Sequence, residues 1–234
     1  MRLSHLLLEL LFPRRCPVCD GVQPLGQVIC PSCADSLQVV RSPFCRKCGK
    51  PLANERQEYC GDCAGGTHLY LEGRALYEYP CLKKSLYRFK YGGRREYGEF
   101  YGTEMAKHLS TVIRRWHPDA FVPVPLHSSR KRKRGYNQAE VLAAWLGVIT
   151  GIPVERHLII RSKKTAPQKN LDSRARQNNL KRAFKISEND VKLNTIIIID
   201  DIYTTGSTID AMASVLYAAG IKNIYFIALA IGRR

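Results

Sequence analysis

Short apolar runs alternate with longer amphipathic segments along the chain after Gly65 and Gly66. The apolar runs predict strands, in the segments DAFVPVPLH, LIIR, TIIIID and IYFIALAI, and HLYLEGRALYEY predicts extended structure. The amphipathic segments predict helices over residues 82–90, 96–116, 137–149 and 207–219. Alternating strands and helices are typical of an α/β domain with a mostly parallel sheet flanked by helices. Ligands of such sheets bind beyond the carboxyl ends of the strands.

The pattern before Gly65 is different and suggests a division of the chain into three parts. Residues 1–12 predict an amphipathic helix that docks on the body of the protein, residues 13–66 a cysteine-rich module, and residues 67–234 the α/β domain. A signal peptide is disfavoured because Glu9 interrupts the first apolar stretch and no small-residue cleavage site follows. No apolar run approaches the roughly 20 residues of a membrane span. We therefore expect a cytoplasmic protein, either free or peripheral at the inner face of the membrane.

The charge of the chain is strongly basic and unevenly distributed. The formal net charge is +17 over 234 residues. Residues 130–185 contain fifteen Lys or Arg and only three acids. Such a concentrated positive field favours polyanionic partners, such as nucleic acid, phosphorylated metabolites or acidic membrane surfaces.

Eight of the nine cysteines form four CxxC pairs, which is a strong zinc signal in a reducing compartment. The pairs are Cys16/Cys19, Cys30/Cys33, Cys45/Cys48 and Cys60/Cys63. Eight thiolates suit two closed structural sites of four cysteines, a double zinc ribbon whose folding depends on the metal by about 10 kcal/mol per site. Sequential pairing is simplest, but interleaved pairing remains open. The module could dock on the α/β domain or contact DNA through its own basic residues. The ninth cysteine, Cys81, is expected to be a small buried hydrophobe.

The segment TIIIIDDIYTTGST combines a buried strand with groups suited to a sugar phosphate. Asp200 and Asp201 are expected to emerge into solvent at the carboxyl edge of the sheet. The loop from Thr204 to Thr208 would open a helix, whose backbone N–H groups and dipole form an anion cradle. The carboxylates would accept hydrogen bonds from cis-diols or hold Mg²⁺ through water. The segment contains neither a P-loop motif nor a dinucleotide GxGxxG.

The motif IIIIDDIYTTGST closely resembles the phosphoribosyl pyrophosphate loop of type I phosphoribosyltransferases. Two further segments, VPVPLHSSRKRKRGYNQAEVLA and KTAPQKNLDSRARQNNLKRAF, and the cysteine-rich module extend the resemblance over nearly the whole chain, to the ComF family. That family is associated with bacterial competence and combines a zinc module with a phosphoribosyltransferase domain. The resemblance therefore implies a type I phosphoribosyltransferase-like fold that takes phosphoribosyl pyrophosphate with Mg²⁺.

The resemblance also assigns roles by position. Asp200 and Asp201 would bind the ribose hydroxyls. The loop would hold the 5′-phosphate through Thr204, Thr205, Gly206, Ser207 and Thr208. Arg130 and Arg134, in or near the loop after FVPVP, would lie near the pyrophosphate. A mobile hood over residues 164–179 would contribute Gln168, Arg174 and Asn178.

One departure from the family pattern bears on the reaction. Several purine-salvage relatives have an acidic residue at the position of Thr204, where it contacts the base. Its absence makes hypoxanthine or guanine transfer less expected without excluding transfer in general. The sequence names no acceptor nucleophile and leaves the presence of turnover open.

Nucleic acid is the second expected partner. Lys131, Arg132 and Lys133 lie in a run of five consecutive cations and are predicted to contact the phosphates of single-stranded DNA. Aromatic residues mixed with cations in LYRFKYGGRREYGEFYG could stack on unpaired bases. Their burial on a helix face is the favoured alternative.

Three hypotheses about function follow from these observations. The leading one is a competence protein that binds phosphoribosyl pyrophosphate and single-stranded DNA during DNA uptake, with other uptake proteins such as a helicase among its partners. The second is an active phosphoribosyltransferase of nucleotide metabolism. The third is a non-catalytic DNA-binding regulator with phosphoribosyl pyrophosphate as its effector. The zinc module and the cationic run favour the first hypothesis, since an ordinary salvage enzyme needs neither.

Overall fold

The structure is a computed structural model that describes residues 13–66, 68–162, 183–187 and 192–232. Within these residues the helices are α1 (Pro31–Ser36), α2 (Gly61–Ala64), α3 (Tyr79–Tyr91), α4 (Tyr97–Trp116), α5 (Ser128–Arg134), α6 (Gln138–Thr150) and α7 (Ser207–Ala218). The strands are β1 (Gly73–Glu78), β2 (Ala120–Pro123), β3 (Ile159–Arg161), β4 (Phe184–Ile186), β5 (Thr195–Tyr203) and β6 (Asn223–Ile231). The predicted N-terminal helix over residues 1–12 lies outside the described residues.

Four strands form a parallel sheet in the order β1-β6-β5-β2. Its centre is the β5–β6 pair, which is in register from Thr195 opposite Asn223 to Tyr203 opposite Ile231. Strand β1 pairs with the outer side of β6, and β2 pairs with β5 from Ala120 opposite Ile196. The prediction of an α/β fold with a mostly parallel sheet flanked by helices is confirmed.

The central strand β5 is buried on both faces, as its run of four isoleucines indicates. Ile197 and Ile199 pack with residues of α3, α4 and α6 on one face. Ile196 and Ile198 pack on the other face with residues of α7 and the cysteine-rich module. Successive side chains of a strand point to opposite faces, so one strand serves both cores. The sheet is thus the middle layer of three.

Helices α4 and α6 pack closely on one side of the sheet because glycines remove side chains at their contact. A Cβ at Gly98 would lie 2.2 Å from Val141, and one at Gly102 would lie 2.3 Å from Trp145. Helix α6 begins where the Asn137 side chain accepts a hydrogen bond from the Ala139 amide, as an N-cap does. Among the described residues, no helix combines the length and the apolar character needed to cross a membrane.

Three elements differ from the sequence-based expectations. Strand β5 continues past Asp200 to Tyr203. The two aspartates therefore lie within the carboxyl-terminal part of the strand and are half-buried, whereas the sequence predicted that they emerge into solvent. The strand over LIIR exists as β3, but it pairs antiparallel with β4 in a separate two-stranded sheet. The cationic run forms helix α5 where a loop was expected, and the helix ends at Gly135 with a positive φ of 80°.

Candidate functional site

The eight paired cysteines form two clusters, each with its four sulfurs within 4.8 Å of one another. The first cluster is Cys16, Cys19, Cys30 and Cys33, and the second is Cys45, Cys48, Cys60 and Cys63. The sequential pairing is therefore confirmed. Zn–S bonds of about 2.3 Å in a tetrahedron place sulfurs about 3.8 Å apart. The measured separations are 3.8 Å for Cys19–Cys30 and 3.6 Å for Cys48–Cys60. The donor set and its spacing fit two zinc ions without rearrangement.

Both clusters are closed, so the zinc is structural. Four thiolates complete the tetrahedron of each ion and leave no position for water or substrate. The chemistry of a ligand site must then come from the α/β domain. Cys81, the remaining cysteine, is half-buried, and its thiol donates to the Glu78 carbonyl while accepting from the Gln38 amide.

At the end of β5, two neighbouring carboxylates lie beside a lysine of α3. Lys90 Nζ is 2.8 Å from Asp201 Oδ2, and both side chains are mostly buried. The Asp201 amide donates to Asp200 Oδ1 at 2.8 Å. Burial raises the pKa of Asp200 to about 7, and the adjacent Asp201 charge acts in the same direction. Lys90 and Arg161 oppose that rise. Asp200 therefore changes its charge near neutral pH unless a cation or a hydroxyl donor stabilises the carboxylate.

Arg161 of β3 approaches these carboxylates, and Arg130 of α5 approaches Arg161. Burial lowers the pKa of Arg161, the positive charge of Arg130 lowers it further, and Asp200 counteracts both. The Arg161 guanidinium lies 5.3 Å from the centre of the Phe184 ring. Because like charges repel, a half-buried pair of arginines favours an anion between or beside them. The assignment of Arg130 to the pyrophosphate stays a prediction.

The segment after β5 is an open helix N-terminus. Residues 204–206 form the loop, and Gly206 precedes α7 with a φ of 78°. No side chain caps the helix, while Thr205 Oγ1 and Ser207 Oγ lie 3.1 Å apart beside it. Uncapped first-turn amides with nearby hydroxyls provide donors for a phosphate. A Cβ at residue 206 would lie 2.8 Å from both the His68 ring and the Tyr203 hydroxyl, so glycine is needed there on two grounds.

His68 packs against this loop although it is distant in sequence. Its Nδ1 lies 2.8 Å from Asp210 Oδ2 in the first turn of α7, and the amide of Leu69 donates to the other Asp210 oxygen. The imidazole stacks on Tyr70 at 4.9 Å. Its Nε2 is buried and has no hydrogen-bond partner among the described residues. His68 therefore holds Asp210 and supports the loop from behind.

Comparison with known proteins agrees with the two zinc sites. Residues 7–64 match the double zinc ribbon domain family. Competence protein F of Haemophilus influenzae is 37% identical over 109 residues, which are 46% of this chain and 48% of that protein. Competence protein ComFC of Bacillus subtilis is 30% identical over 156 residues, 65% of this chain and 60% of that protein. These relatives and the double zinc ribbon support a protein of the ComF family.

A third ComF relative is the DNA utilization protein YhgH of Escherichia coli (strain K12), with 37% identity over 103 residues, 44% of this chain and 45% of that protein. The chain spans about half the length of the curated relatives it matches. Among solved structures, adenine phosphoribosyltransferase from Leishmania tarentolae aligns with a TM-score of 0.35 and 12% identity, over 67% of this chain and 76% of that one. The candidate ligand site is defined by β5 and the residues around it.

The cationic residues predicted to contact nucleic acid lie on α5. Lys131 is 3.0 Å from Glu140, so part of its charge is neutralised. Arg132 and Lys133 are exposed and form no ion pair with a described carboxylate. Arg134 turns toward α3, where it donates to the Tyr91 hydroxyl and to Gln138. The helix thus presents a cationic face to solvent and one arginine to its neighbour.

The aromatic residues of α3 differ in whether they are buried on a helix face or available for stacking on bases. Phe89 is fully buried, as the helix-face alternative predicts. Tyr87 and Tyr91 are 66% and 53% exposed on the other side of α3. The hood residues Gln168, Arg174 and Asn178 lie outside the described residues.

Sequence reasoning did not single out three residues that the fold brings to the site. They are Lys90, Arg161 and His68, from α3, β3 and the segment before β1. None belongs to a recognisable motif. Only the tertiary contact with Asp201, Asp200 or Asp210 distinguishes them from other polar residues of the same type.

Proposed function

We propose that the protein binds phosphoribosyl pyrophosphate with Mg²⁺ at the carboxyl end of β5 and handles single-stranded DNA during DNA uptake. The observation that carries the proposal is the juxtaposition of two carboxylates with an uncapped helix N-terminus. Asp200 and Asp201 suit the ribose hydroxyls and Mg²⁺, and residues 204–208 suit the 5′-phosphate. The names of the competence and DNA utilization relatives support the uptake role.

Charge complementarity supports the ligand further. Phosphoribosyl pyrophosphate is a polyanion with a pair of vicinal hydroxyls. Arg161 provides positive charge near Asp200, and Arg130 provides positive charge near Arg161. Lys90 balances the charge of Asp201. Mg²⁺ would neutralise the remaining charge of the two aspartates and the pyrophosphate.

Calorimetry with phosphoribosyl pyrophosphate and Mg²⁺ tests this site. The double change Asp200→Asn and Asp201→Asn should abolish binding, because the amides can neither hold Mg²⁺ nor replace both charged acceptors. The zinc content should stay unchanged. The change Asp35→Asn with Glu55→Gln removes the same charge from exposed positions of the zinc module and should bind like the parent. An unaltered affinity of the Asp200/Asp201 variant would refute the site.

The DNA part of the proposal is tested by salt dependence. Replacing Lys131, Arg132 and Lys133 by Ala should reduce the slope of log K against log salt by about 2, from about 0.7 per phosphate contact on a single strand. The matched control replaces Lys107, Arg114 and Lys222, three exposed cations on other parts of the surface. If both triple variants change the slope equally, α5 is not a specific contact and only net charge matters.

A further inference from the structure

Helix α3 carries two exposed tyrosines, Tyr87 and Tyr91, on the side that faces away from the core. They are four residues apart, and their ring centroids are 5.2 Å apart at an angle of 47°. Large aromatic side chains at more than half exposure are unfavourable unless something covers them. Helix packing does not account for them, because Leu82, Leu86 and Phe89 already bury the core face of α3.

The rings line a cavity of about 550 Å³ whose rim is basic. Lys83 and Lys84 precede the tyrosines by one helical turn and lie on the same face of α3, since residues 83, 87 and 91 are spaced by four. Both lysines are exposed, and neither forms an ion pair with a described carboxylate. A surface that combines π-faces with unpaired cations is complementary to unpaired bases on a phosphate backbone.

Arg134 extends this surface onto α5. Its guanidinium lies 4.8 Å from the centre of the Tyr91 ring and donates to the Tyr91 hydroxyl at 2.9 Å. The contact fixes Tyr91 in one orientation and places the exposed cations of α5 next to the tyrosine pair. A pre-ordered ring loses less conformational entropy when a base stacks on it.

We propose that Tyr87 and Tyr91 form a stacking platform for the bases of single-stranded nucleic acid, with Lys83 and Lys84 on one side and α5 on the other contacting its phosphates. This inference rests on the DNA part of the proposed function and assigns it a base-contacting surface. Lys83 and Tyr91 are eight residues apart, which corresponds to about 12 Å of helix at 1.5 Å per residue. That length exceeds the 3.4 Å spacing of stacked nucleotides, so the platform suits a polynucleotide better than a single nucleotide.

The platform adjoins the ribose-phosphate site through α3. Lys90 of α3 lines the cavity together with the tyrosines and also forms an ion pair with Asp201. Ile202 of β5 lines the same cavity. A strand on the platform would therefore pass next to the carboxylates assigned to phosphoribosyl pyrophosphate. The two ligands would then lie on either side of the last turn of α3.

The test compares two labelled probes on the full-length protein with zinc bound: a 20-nucleotide oligothymidylate and an abasic strand of the same length and charge. The parent protein should prefer the oligothymidylate. The change Tyr87→Ala with Tyr91→Ala should weaken oligothymidylate binding by about 5- to 100-fold per stacked base and remove the preference. The abasic strand should bind the variant as it binds the parent, with the same salt slope.

A matched variant, Tyr87→Phe with Tyr91→Phe, keeps both rings and should retain the preference. Its near-parental behaviour would show that the hydroxyls and the Arg134 hydrogen bond are secondary to stacking. If the alanine variant retains the parental preference, or if the parent binds both probes equally, the platform is refuted while the phosphate contacts of α5 stand. If the parent binds neither probe, the DNA part of the proposed function fails with it.

A competition with thymidine monophosphate addresses the choice of a polymer. The mononucleotide should displace the oligothymidylate only at concentrations at least 100-fold above the oligonucleotide's Kd, because it can engage only one ring and one phosphate. Displacement at comparable concentrations would overturn the assignment to a polynucleotide and indicate a nucleotide pocket.

Discussion

The two zinc sites have the same ligands and similar geometry but differ in burial. In the first site Cys16 is buried, Cys19 is exposed, and Cys30 and Cys33 are half-buried. In the second site Cys45 and Cys48 are fully buried and belong to the core on one face of the sheet. The same metal ribbon is thus used once as a surface clamp and once as a component of the α/β core.

The first site is attached to the helical layer through polar contacts. The Pro17 carbonyl accepts hydrogen bonds from Ser85 and Tyr101, and the Val18 carbonyl accepts from Arg88. Asp20 accepts from Arg94 and from the Tyr97 hydroxyl.

The second site is joined to the sheet and to the loop after β5. Lys50 forms a buried ion pair with Asp62 and lies 5.9 Å from the centre of the Tyr203 ring. Tyr203 ends β5 and donates or accepts a hydrogen bond with Tyr70 in the same core. We therefore expect the second cysteine cluster, which shares a core with Tyr203, to support the proposed phosphate loop.

The largest expected effect is therefore a difference between zinc-ligand variants. Cys48→Ser should remove the second zinc and cost up to about 10 kcal/mol of folding free energy, since the metal orders a buried part of the core. Cys19→Ser should remove the first zinc but leave the α/β domain folded. Zinc per chain by native mass spectrometry and thermal unfolding measure both.

Each variant should lose one zinc, so the zinc content checks that the two changes are equivalent at the metal. Binding of phosphoribosyl pyrophosphate should disappear in Cys48→Ser and remain within a few-fold of the parent in Cys19→Ser. Equal losses of stability in the two variants would contradict the division into clamp and core.

A smaller difference in stability is expected between loss of the Lys50–Asp62 ion pair and loss of the Arg94–Asp20 ion pair. Lys50→Met removes the buried ammonium that pairs with the partly buried Asp62, which should reduce the free energy of unfolding by about 1–3 kcal/mol. Arg94→Met breaks the Asp20 pair at partly exposed positions and should cost about 1 kcal/mol or less, because Tyr97 still donates to Asp20. Urea unfolding at pH 7 compares the two. A larger loss in Arg94→Met would reverse the comparison.

The pH dependence of stability distinguishes the end of β5 from both ribbons. The pKa of Asp200 is about 7 in the folded protein and about 4 in the unfolded chain, so the folded state binds more protons between these pH values. The free energy of unfolding should therefore fall as the pH rises from about 4 to about 7, by on the order of 4 kcal/mol.

The change Asp200→Asn should remove this part of the pH dependence. Measuring the parent and the variant from pH 5 to 8 without Mg²⁺ cancels the contribution of zinc ligation, which both proteins share. A parent and a variant with parallel pH profiles would show that Asp200 is ionised without penalty and that its burial is not energetically important.

Much of the fold follows from local pattern. The four isoleucines of β5 predict a strand buried on both faces, and the helices over α3, α4, α6 and α7 were located to within a few residues. The cysteine spacing predicts both zinc sites, because two CxxC turns and one intervening loop complete a tetrahedron locally. Pairing within each ribbon is thus a short-range property.

The remaining features depend on distant contacts. The extension of β5 to Tyr203 is stabilised by pairing with β6 up to Ile231. The local sequence does not predict this extension, because two adjacent aspartates favour a loop. The pairing of β3 with β4 joins segments separated by more than twenty residues. Phe89 and Tyr91 are two residues apart and equally aromatic, yet only the packing of α3 decides that one is core and the other surface.

By itself, the sequence determined the elements, the metal ligands and the residues most suited to a ribose phosphate, because spacing along the chain fixes which groups share a turn, a strand or a helix face. Only the tertiary structure decided which zinc site lies in the core, which cations face Asp200 and Asp201, and that His68 supports the loop at Gly206. Burial and electrostatic environment arise from groups that the chain brings together from afar. The physical state of a site therefore depends on packing, even where its residues can be named from their order.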